Sequence, residues 1–479
     1  MVFSTITFLF FFFPIFLAGY FILPVRLRDL WLLIASILFY YSGEPRFVII
    51  MIFSIIWNYI SGVVSGYLRS KKAWAGKMFL VLSIVANLSM LFYFKYFNFI
   101  ANIINSVFHV DFSNPDILLP IGISFFTFQG MSYAIDVYRG TVEPQKNILK
   151  LGEYISMFPQ LVAGPIVRYA DIEEQLTHRT TNLENFCQGS CRFVVGLAKK
   201  VIIANTVALP ADKIFALSPA DMSTSTAWLG ILCYTIQIYF DFSGYSDMAI
   251  GMGKMIGFDF AENFKLPYIS KSITEFWRRW HISLSSWFRD YLYIPLGGSR
   301  KGNVYCHLLI VFLVTGLWHG ASMTFVIWGL WHGIFVMAER FYRNHVHGNR
   351  EGILPGPVKS FLQSFYTLGI VMTGWVFFRS DSLSYALSYI KRLFLSPSSA
   401  PALSTSYFVN NFTVIILIAA VVISFGGFQK LWERLKRKYA DNGSKWPLVA
   451  ERIGIISLLL VSAVMVMTSA YNPFIYFRF

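Results

Sequence analysis

The stretch from Val304 to Ala338 carries no Asp, Glu, Lys or Arg, and it contains two Trp-His-Gly triplets, at 318–320 and 331–333. An uncharged run of this length is typical of membrane-embedded chain. An ionisable side chain at that depth is costly and is therefore usually functional. Because desolvation disfavours the imidazolium, we expect such a histidine to be mostly neutral at pH 7 and able to accept a proton. The run therefore predicts a buried general base.

The rest of the chain has the same character. It is 479 residues long, 56% hydrophobic and only 14% charged, which soluble domains rarely are. Apolar stretches of spanning length predict an all-α membrane protein with 10 to 13 crossings; the clearest lie near 3–23, 47–68, 78–101, 117–135, 191–209, 225–250, 305–338, 360–378, 409–428 and 453–471, with weaker ones near 29–43 and 151–167. The longest polar stretch, 262–303, is too short for an independent core. We therefore expect one membrane domain over residues 1–479.

The charges predict an orientation. No Lys or Arg precedes the first apolar run and no small-residue cleavage site follows it, so it is interpreted as a retained transmembrane helix. Arg26 and Arg28 follow this run, further cations follow 47–68, and the acidic 111–116 loop falls on the other side. Positive-inside reasoning then places the N-terminus outside the cytoplasm. The net charge of +15 fits anchoring to membrane lipids and requires no nucleic-acid partner.

One polar segment stands out, from Ser272 to Gly298. Ser272 followed by Glu275 fits a capping box and predicts a helix start. Continued at 100° per residue, this helix presents Arg278 and Arg279 on a polar face and turns His281 towards the aromatic side. The arginines either anchor to anionic lipid or meet the phosphates of an anionic cofactor. His281 either packs among rings or takes part in chemistry.

Two carboxylates interrupt the 225–250 stretch. Asp241 has Tyr245 one turn away and Asp247 has Ser243, so each acid has a possible local partner. They either hydrogen-bond between helices or line a polar tunnel. Because acids inside membranes are generally paired, we favour a structural role in shaping the site.

Two other features bear on the backbone. Pro159, Gly164 and Pro165 predict a kinked or re-entrant element, which at that depth requires a covering of protein or a cavity. The aromatic terminus 471–479 is interpreted as an interfacial aromatic belt, in preference to a docking tail. The four cysteines have no metal-ligand spacing.

Several strings occur together, in order, over most of the first 335 residues. They are MVFS (1–4), LLPIGISFFTFQ (118–129), FPQLVAGPIVR (158–168), YFDFSGYSDMAIG (239–251), ENFKLPYIS (262–270), SITEFWRRWHISLSSWFRDYLYIPLGG (272–298) and GLWHG (316–320). With them the sequence resembles the membrane-bound O-acyltransferases, most closely the bacterial branch that acetylates alginate. The resemblance implies a ring of helices around a thinned central region, with re-entrant or interfacial helices and a cytoplasmic opening.

The resemblance also implies roles for single residues. His319 corresponds to the catalytic histidine of the family, and His281 to the second histidine of the bacterial branch. Trp318 and Gly320 flank the catalytic position, while His332 is an accessory position. Asp241 and Asp247 are expected to shape the pocket. Arg278 and Arg279 are candidates for binding the acyl donor.

These roles predict an acetyltransferase of the bacterial inner membrane. Acetyl-CoA would bind from the cytoplasm, and the acetyl group would pass to an extracytoplasmic partner protein with a nucleophilic serine, for O-acetylation of an alginate-like exopolysaccharide or another surface polymer. His319 would remove the hydroxyl proton while the oxyanion is stabilised. No tightly bound cofactor and no metal are expected.

Three alternatives stay open. The same family includes D-alanyl transfer to teichoic acid. A transporter could use Asp241 and Asp247 as coupling sites, although no inverted repeat is apparent. A b-type haem site could use His319 and His332, but it requires a second helix with matching histidines.

Overall fold

The computed structural model describes residues 2–110, 117–345, 356–396, 403–440, 444, 446–469 and 471–475. These residues form helices joined by turns and contain no β-strand, so the all-α prediction is confirmed. The chain divides into two compact units. Unit 1 comprises residues 1–193 and 245–261, and unit 2 comprises 194–244 and 262–479. One domain over 1–479 stays a prediction.

Among its described residues, unit 1 contains nine α-helices and parts of two more. The nine are α1 (Phe13–Ile22), α2 (Val25–Gly43), α3 (Val48–Lys71), α4 (Ala73–Leu91), α5 (Phe97–Phe108), α6 (Ile123–Arg139), α7 (Ile148–Ser156), α8 (Phe158–Leu161) and α9 (Tyr169–Ile172). Two long helices, α10 (Leu183–Ala198) and α12 (Thr224–Met255), contain two of the three boundaries between the units, and the third follows residue 261.

Unit 2 holds the remaining helices. They are α11 (Asn205–Phe215), α13 (Ile273–Arg279), α14 (Ile282–Phe288), α15 (Val304–His319), α16 (Met323–His345), α17 (Gly356–Arg379), α18 (Leu383–Phe394), α19 (Asn411–Ser424), α20 (Gly427–Ala440) and α21 (Trp446–Thr468). Two π-helical turns are inserted, one at Lys199–Ala204 between α10 and α11 and one at Arg289–Tyr293 after α14.

Five helical stretches of the described chain are long and apolar enough to cross a membrane. They are Pro45–Lys71, Ala73–Phe108, Leu183–Phe215, Gly356–Arg379 and Trp446–Thr468; the bent pair α19 and α20 would make a sixth. The protein is a multi-pass membrane protein. These stretches are fewer than the predicted 10 to 13 because other apolar segments, such as Phe8–Ile22 and Val304–His319, form shorter helices. The ring arrangement stays a prediction.

The chain breaks where proline and glycine predicted it at residues 159–165. Helix α7 ends at Ser156, α8 is a single turn with Pro159 near its start, and residues 162–168 are not helical. This irregular backbone is buried in unit 1, as a break at membrane depth requires.

The sequence predicted that the uncharged stretch 305–338 forms one membrane span, and this prediction is wrong. It folds into α15 and α16, which turn back on each other at Gly320–Ser322. Their close approach depends on Gly316 and Gly329, because a Cβ on either would collide with a carbonyl oxygen of the facing helix. The two Trp-His-Gly triplets therefore lie on two packed helices.

The predicted interfacial helix from Ser272 is also two helices. Ser272 caps it as expected, with its Oγ accepting a hydrogen bond from the Glu275 N–H at 3.0 Å. However, α13 ends at Arg279, and His281 lies in the left-handed region with φ 45° and ψ 54°. The prediction of one continuous helical face that extends beyond Arg279 is therefore wrong. The left-handed residue redirects the chain before α14 begins.

The described part of the C-terminus is not an interfacial belt. Phe474 and Ile475 are 5% and 7% exposed, and Ile475 packs in the hydrophobic core of unit 2. The last predicted belt residues, 476–479, and the acidic 111–116 loop lie outside the described residues.

Candidate active site

His319 is the last residue of α15, and its environment is aromatic. Its side chain is buried, and its ring makes edge contacts with the rings of Trp318, Trp328 and Phe378, with centroids 4.9, 5.0 and 5.3 Å away. Because α15 ends at this position, the helix places the imidazole at its terminus and not along a packed helix side. Burial among rings provides the low-polarity setting that the sequence predicted for a base.

His281 lies next to His319 in unit 2, with ring centroids 6.4 Å apart. It is fully buried, and its Nδ1 is 3.1 Å from Asn263 Oδ1. The same oxygen accepts hydrogen bonds from the N–H and the hydroxyl of Ser283, at 3.2 and 2.9 Å. Since the backbone N–H is always a donor, this Asn263 atom is the acceptor, and neutral His281 donates from Nδ1.

This hydrogen bond fixes the tautomer of His281. With the proton on Nδ1, Nε2 carries the lone pair and is the basic atom. Burial lowers the pKa of His281 to about 3, because desolvation disfavours the charged ring. His281 is therefore a neutral acceptor across the physiological pH range.

A small chamber adjoins the His319 ring. Its volume is about 20 Å³, which is room for about one water molecule. The lining is almost wholly apolar and consists of Ile238, Phe242, Trp280, His319, Trp328, Trp375, Phe378 and Ile475. A polar reaction in this chamber would be shielded from bulk water.

A second cavity, the α14–α15 groove, lies along α15 on the side of its N-terminus. It measures about 180 Å³ and is lined by Trp277, Leu284, Ser285, Phe288, Arg289, Tyr293, Leu308, Val311, Phe312 and Thr315. Phe312 and Thr315 are seven and four residues before His319, so they share its face of the helix. The groove therefore approaches the histidine to within one helical turn.

A third cavity, the polar vestibule, lies at the opposite end of α15. It measures about 210 Å³ and is lined by Tyr234, Ser322, Thr324, Phe325, Phe378, Arg379, Ser380 and Asp381. Phe378 lines both the vestibule and the chamber. Phe378 thus contacts His319 and also lines a cavity that contains hydroxyl and charged groups.

The second triplet does not reach the chamber. His332 is fully buried on α16, and neither ring nitrogen has a hydrogen-bond partner among the described residues. The Trp328 ring contacts both histidines, with centroids 5.0 Å from His319 and 5.3 Å from His332.

The remaining predicted residues separate into groups. The Trp318 ring packs on the His319 ring. Gly320, which follows His319, is extended, and a Cβ on it would collide with the Phe325 ring. Asp241 does not use its local partner Tyr245 but pairs with Lys200 at 2.6 Å. Its counterpart Asp247 belongs to unit 1 and pairs with Arg192 at 2.8 Å.

The two predicted donor-binding arginines differ. Arg278 is exposed. Arg279 is held by Glu275 at 2.9 Å and by the carbonyl oxygen of Lys265 at 3.0 Å. Of the two, Arg278 has the side chain that can meet a ligand without first breaking these bonds.

Sequence reasoning missed several residues of the site. Asn263 orients His281 from 18 positions upstream, and Trp280, Trp328, Trp375 and Phe378 form the chamber walls. The family-like string ENFKLPYIS contained Asn263 and was the only available signal for it. Aromatic residues are so frequent in this chain, at 18%, that none of the wall residues stood out.

Comparison with known proteins identifies the family of the chain. Residues 145–352 match the family described as MBOAT, membrane-bound O-acyltransferase. The chain is 41% identical to a probable alginate O-acetylase of Pseudomonas putida, with all of both proteins covered. It is 34% identical to a peptidoglycan O-acetyltransferase of Helicobacter pylori, over 82% of this chain and 79% of that one.

A teichoic acid D-alanyltransferase of Bacillus subtilis is more distant, at 28% identity over 59% of this chain and 72% of that protein. The full-length similarity to O-acetylases agrees with the resemblance of the motifs. The chain belongs to the membrane-bound O-acyltransferase family and is a membrane O-acyltransferase.

Proposed function

We propose that this protein moves an acetyl group from acetyl-CoA, bound on the cytoplasmic side, to a hydroxyl acceptor on the other side of the membrane. The observation that carries the proposal is the placement of His319, in an aromatic chamber between the α14–α15 groove and the polar vestibule. Two reactants can then approach one base from opposite ends of α15.

The proposed chemistry is acyl transfer from a thioester. His319 takes the proton of the acceptor hydroxyl as its oxygen attacks the acetyl carbonyl. The tetrahedral intermediate collapses, the C–S bond breaks, and the CoA thiolate receives a proton. His281, with its lone pair on Nε2, accepts a hydrogen bond from the acceptor or donor and orients it. An acetylated His319 and direct transfer both fit this arrangement.

The groove is the proposed donor side. It is mostly apolar, which suits the arm that carries the thioester, and it ends one helical turn from His319. Arg289 lines it, and exposed Arg278 lies on α13. A guanidinium is well suited to the phosphates of CoA. We assign this role to Arg278 before Arg279, whose guanidinium is already engaged.

The vestibule is the proposed acceptor side. Its volume admits one side chain or one sugar unit and excludes a polymer. A separate extracytoplasmic protein with a nucleophilic serine would therefore receive the acetyl group and pass it to the polymer. The relatives named as alginate and peptidoglycan O-acetylating enzymes support an exopolysaccharide or wall polymer as the final acceptor. The proposed location is the bacterial inner membrane, with the N-terminus outside on the positive-inside reasoning.

The chamber favours acetyl over D-alanyl transfer. Its lining, as the structure describes it, contains no carboxylate, and a D-alanyl group carries an ammonium. Burying that charge without a partner would be strongly unfavourable. An uncharged acyl group needs no such partner.

The test uses purified protein in proteoliposomes with labelled acetyl-CoA. His319→Ala is expected to abolish acetyl transfer to an added serine-containing partner. His307→Ala is the matched control, since His307 lies on the same helix but bonds to the carbonyl of Gly298. It should retain activity. Transfer by His319→Ala at the wild-type rate would refute the base assignment, and a preference for a D-alanyl thioester would refute the acetyl donor.

A further inference from the structure

The proposed reaction makes no use of a buried ion pair in unit 2. Lys200 Nζ lies 2.6 Å from Asp241 Oδ1, and the two side chains are only 1% and 2% exposed. Lys200 lies in the π-helical turn Lys199–Ala204, an element found frequently at functional sites. Moving two charges out of water is expensive unless further hydrogen bonds satisfy them. The partners of those bonds indicate what the pair does.

Both members of the pair bind the backbone of the C-terminal segment. Lys200 Nζ donates a hydrogen bond to the carbonyl oxygen of Pro473, and the N–H of Ile475 donates to Asp241 Oδ2 at 2.9 Å. The Phe474 ring, between these two residues, lies 5.8 Å from the Lys200 ammonium. One ion pair therefore fixes three consecutive residues of an extended chain.

The segment has two further polar attachments upstream. The Tyr471 hydroxyl donates to Asp212 on α11, which also pairs with Arg379 at 2.6 Å. Asn205 donates to the side chain of Asn472 at 3.3 Å. We define residues 471–475 as the tail segment. Taken in order along the segment, its contacts begin at α11 and end at α12.

The tail segment ends at the catalytic chamber. Ile475 is one of the eight residues that line it, together with His319. Because Ile475 is placed by its own N–H on Asp241, the position of this wall depends on the ion pair. Without the wall, the chamber of about 20 Å³ would widen beside the reacting histidine.

We propose that Lys200 and Asp241 are positioning residues, which seat the tail segment as a wall of the His319 chamber and keep water from the acetyl donor. This inference rests on the proposed acetyl transfer. When the wall is displaced, water replaces the acceptor hydroxyl. A C–O bond forms from water and the C–S bond breaks; one proton of the water goes to the thiolate and the other is released, giving acetate, CoA and a proton.

The first experiment measures the seating itself and needs no activity. Ile475→Cys is introduced after Cys187, Cys191, Cys233 and Cys306 have been replaced by alanine, and its reaction with N-ethylmaleimide is timed in detergent. A buried thiol reacts slowly. Combining it with Lys200→Met and Asp241→Leu removes both charges, so that neither is left buried alone. The labelling rate is expected to rise at least tenfold, and an unchanged rate would overturn the proposal.

The matched control is Arg192→Met with Asp247→Leu. This pair joins α10 to α12, as an ion pair that does not touch the tail segment, and its removal should leave the labelling of Ile475→Cys unchanged. A graded variant keeps the test meaningful if the double replacement folds poorly. Lys200→Met with Asp241→Asn retains an oxygen for the Ile475 N–H and should give an intermediate rate. Equal acceleration by the control pair would mean general loosening and would overturn the proposal.

The second experiment measures the ratio of acetyl-CoA hydrolysis to acetyl transfer. Ile475→Ala, which opens the wall directly, and the Lys200→Met, Asp241→Leu protein should each raise this ratio several-fold. Combining the three replacements in one protein should not raise the ratio above that of either variant alone. Additive effects would contradict a shared route through the tail segment. Faster labelling without a change in the ratio would support the seating of the tail segment but overturn its role in excluding water. A wild-type protein that does not turn over acetyl-CoA at all would refute the proposed function and leave the labelling result intact.

Discussion

The two Trp-His-Gly triplets have identical sequences and very different surroundings. His319 ends α15 and borders a chamber between two cavities, whereas His332 is enclosed in the middle of α16 behind Trp328. The difference comes from the backbone, because α15 stops at its triplet and α16 continues through its own. We therefore expect the triplet at the end of a helix to take part in chemistry and the one inside a helix to serve as packing.

The largest contrast is expected at the histidines. His319→Gln should lower acetyl transfer by about 10²–10⁴-fold, the usual contribution of a positioned base. His332→Gln should retain most of the activity, since its ring does not line the chamber. Initial rates at saturating acetyl-CoA measure both. Equal losses in the two variants would break the distinction between the triplets.

The tryptophans should give a smaller difference. Trp318 packs on both His319 and His281, at 4.9 and 6.1 Å, so Trp318→Leu should misplace the histidines and reduce transfer about 10- to 100-fold. Trp331 donates a hydrogen bond to the carbonyl of Ile370 at 2.9 Å. Trp331→Phe should cost about 1 kcal/mol of stability and leave the rate unchanged. Rates and thermal unfolding in detergent separate these effects, and a rate loss in Trp331→Phe alone would reverse the assignment.

The glycines come next. A Cβ on Gly320 would overlap the Phe325 ring, which also lines the vestibule. Gly320→Ala should therefore destabilise the protein by about 1–3 kcal/mol and lower transfer a few-fold. A Cβ on Gly333 would meet Phe312 at 3.0 Å, and this crowding is offset by the gain of about 0.5–1 kcal/mol for alanine over glycine in a helix. Gly333→Ala should therefore leave the melting temperature nearly unchanged. A larger fall in melting temperature for Gly333→Ala than for Gly320→Ala would contradict this prediction.

The smallest effect is expected for His332→Leu. Both imidazole nitrogens lack hydrogen-bond partners in the described part of the chain, and an unsatisfied buried polar group costs about 1–3 kcal/mol. Leucine removes this penalty but replaces a planar ring by a branched side chain of different shape, so the melting temperature should stay level or rise slightly. A marked fall would indicate that the ring holds a buried water molecule.

What the sequence could predict depended on whether the signal was local. The cap at Ser272, the break near Pro159 and the burial of both triplets follow from neighbouring residues, and the first two are confirmed. The break at His281 could not be predicted, because a left-handed residue there carries no glycine signal. The partners of Asp241 and Asp247 lie 41 and 55 positions away, at Lys200 and Arg192, beyond any helical spacing.

The C-terminus illustrates a different limit. Its aromatic composition fits a lipid interface and a protein chamber equally well, because both bury apolar surface. What distinguishes them is the backbone hydrogen bonds of Pro473 and Ile475 to an ion pair, and these bonds form only in the folded protein. The catalytic roles of His319 and His281 themselves came from the motif resemblance and stay predictions.

The aromatic walls around His319 also bear on bioenergetics. An enzyme that admits reactants from both faces of a membrane risks a proton leak, and each charge that crosses dissipates about 2.3 kcal/mol per 100 mV. In the proposed reaction, the chamber beside the imidazole has room for about one water, so its indole and phenyl walls would restrict a continuous chain of water between the groove and the vestibule. The same rings would then limit proton leakage across the membrane while the reaction site stays between its two faces.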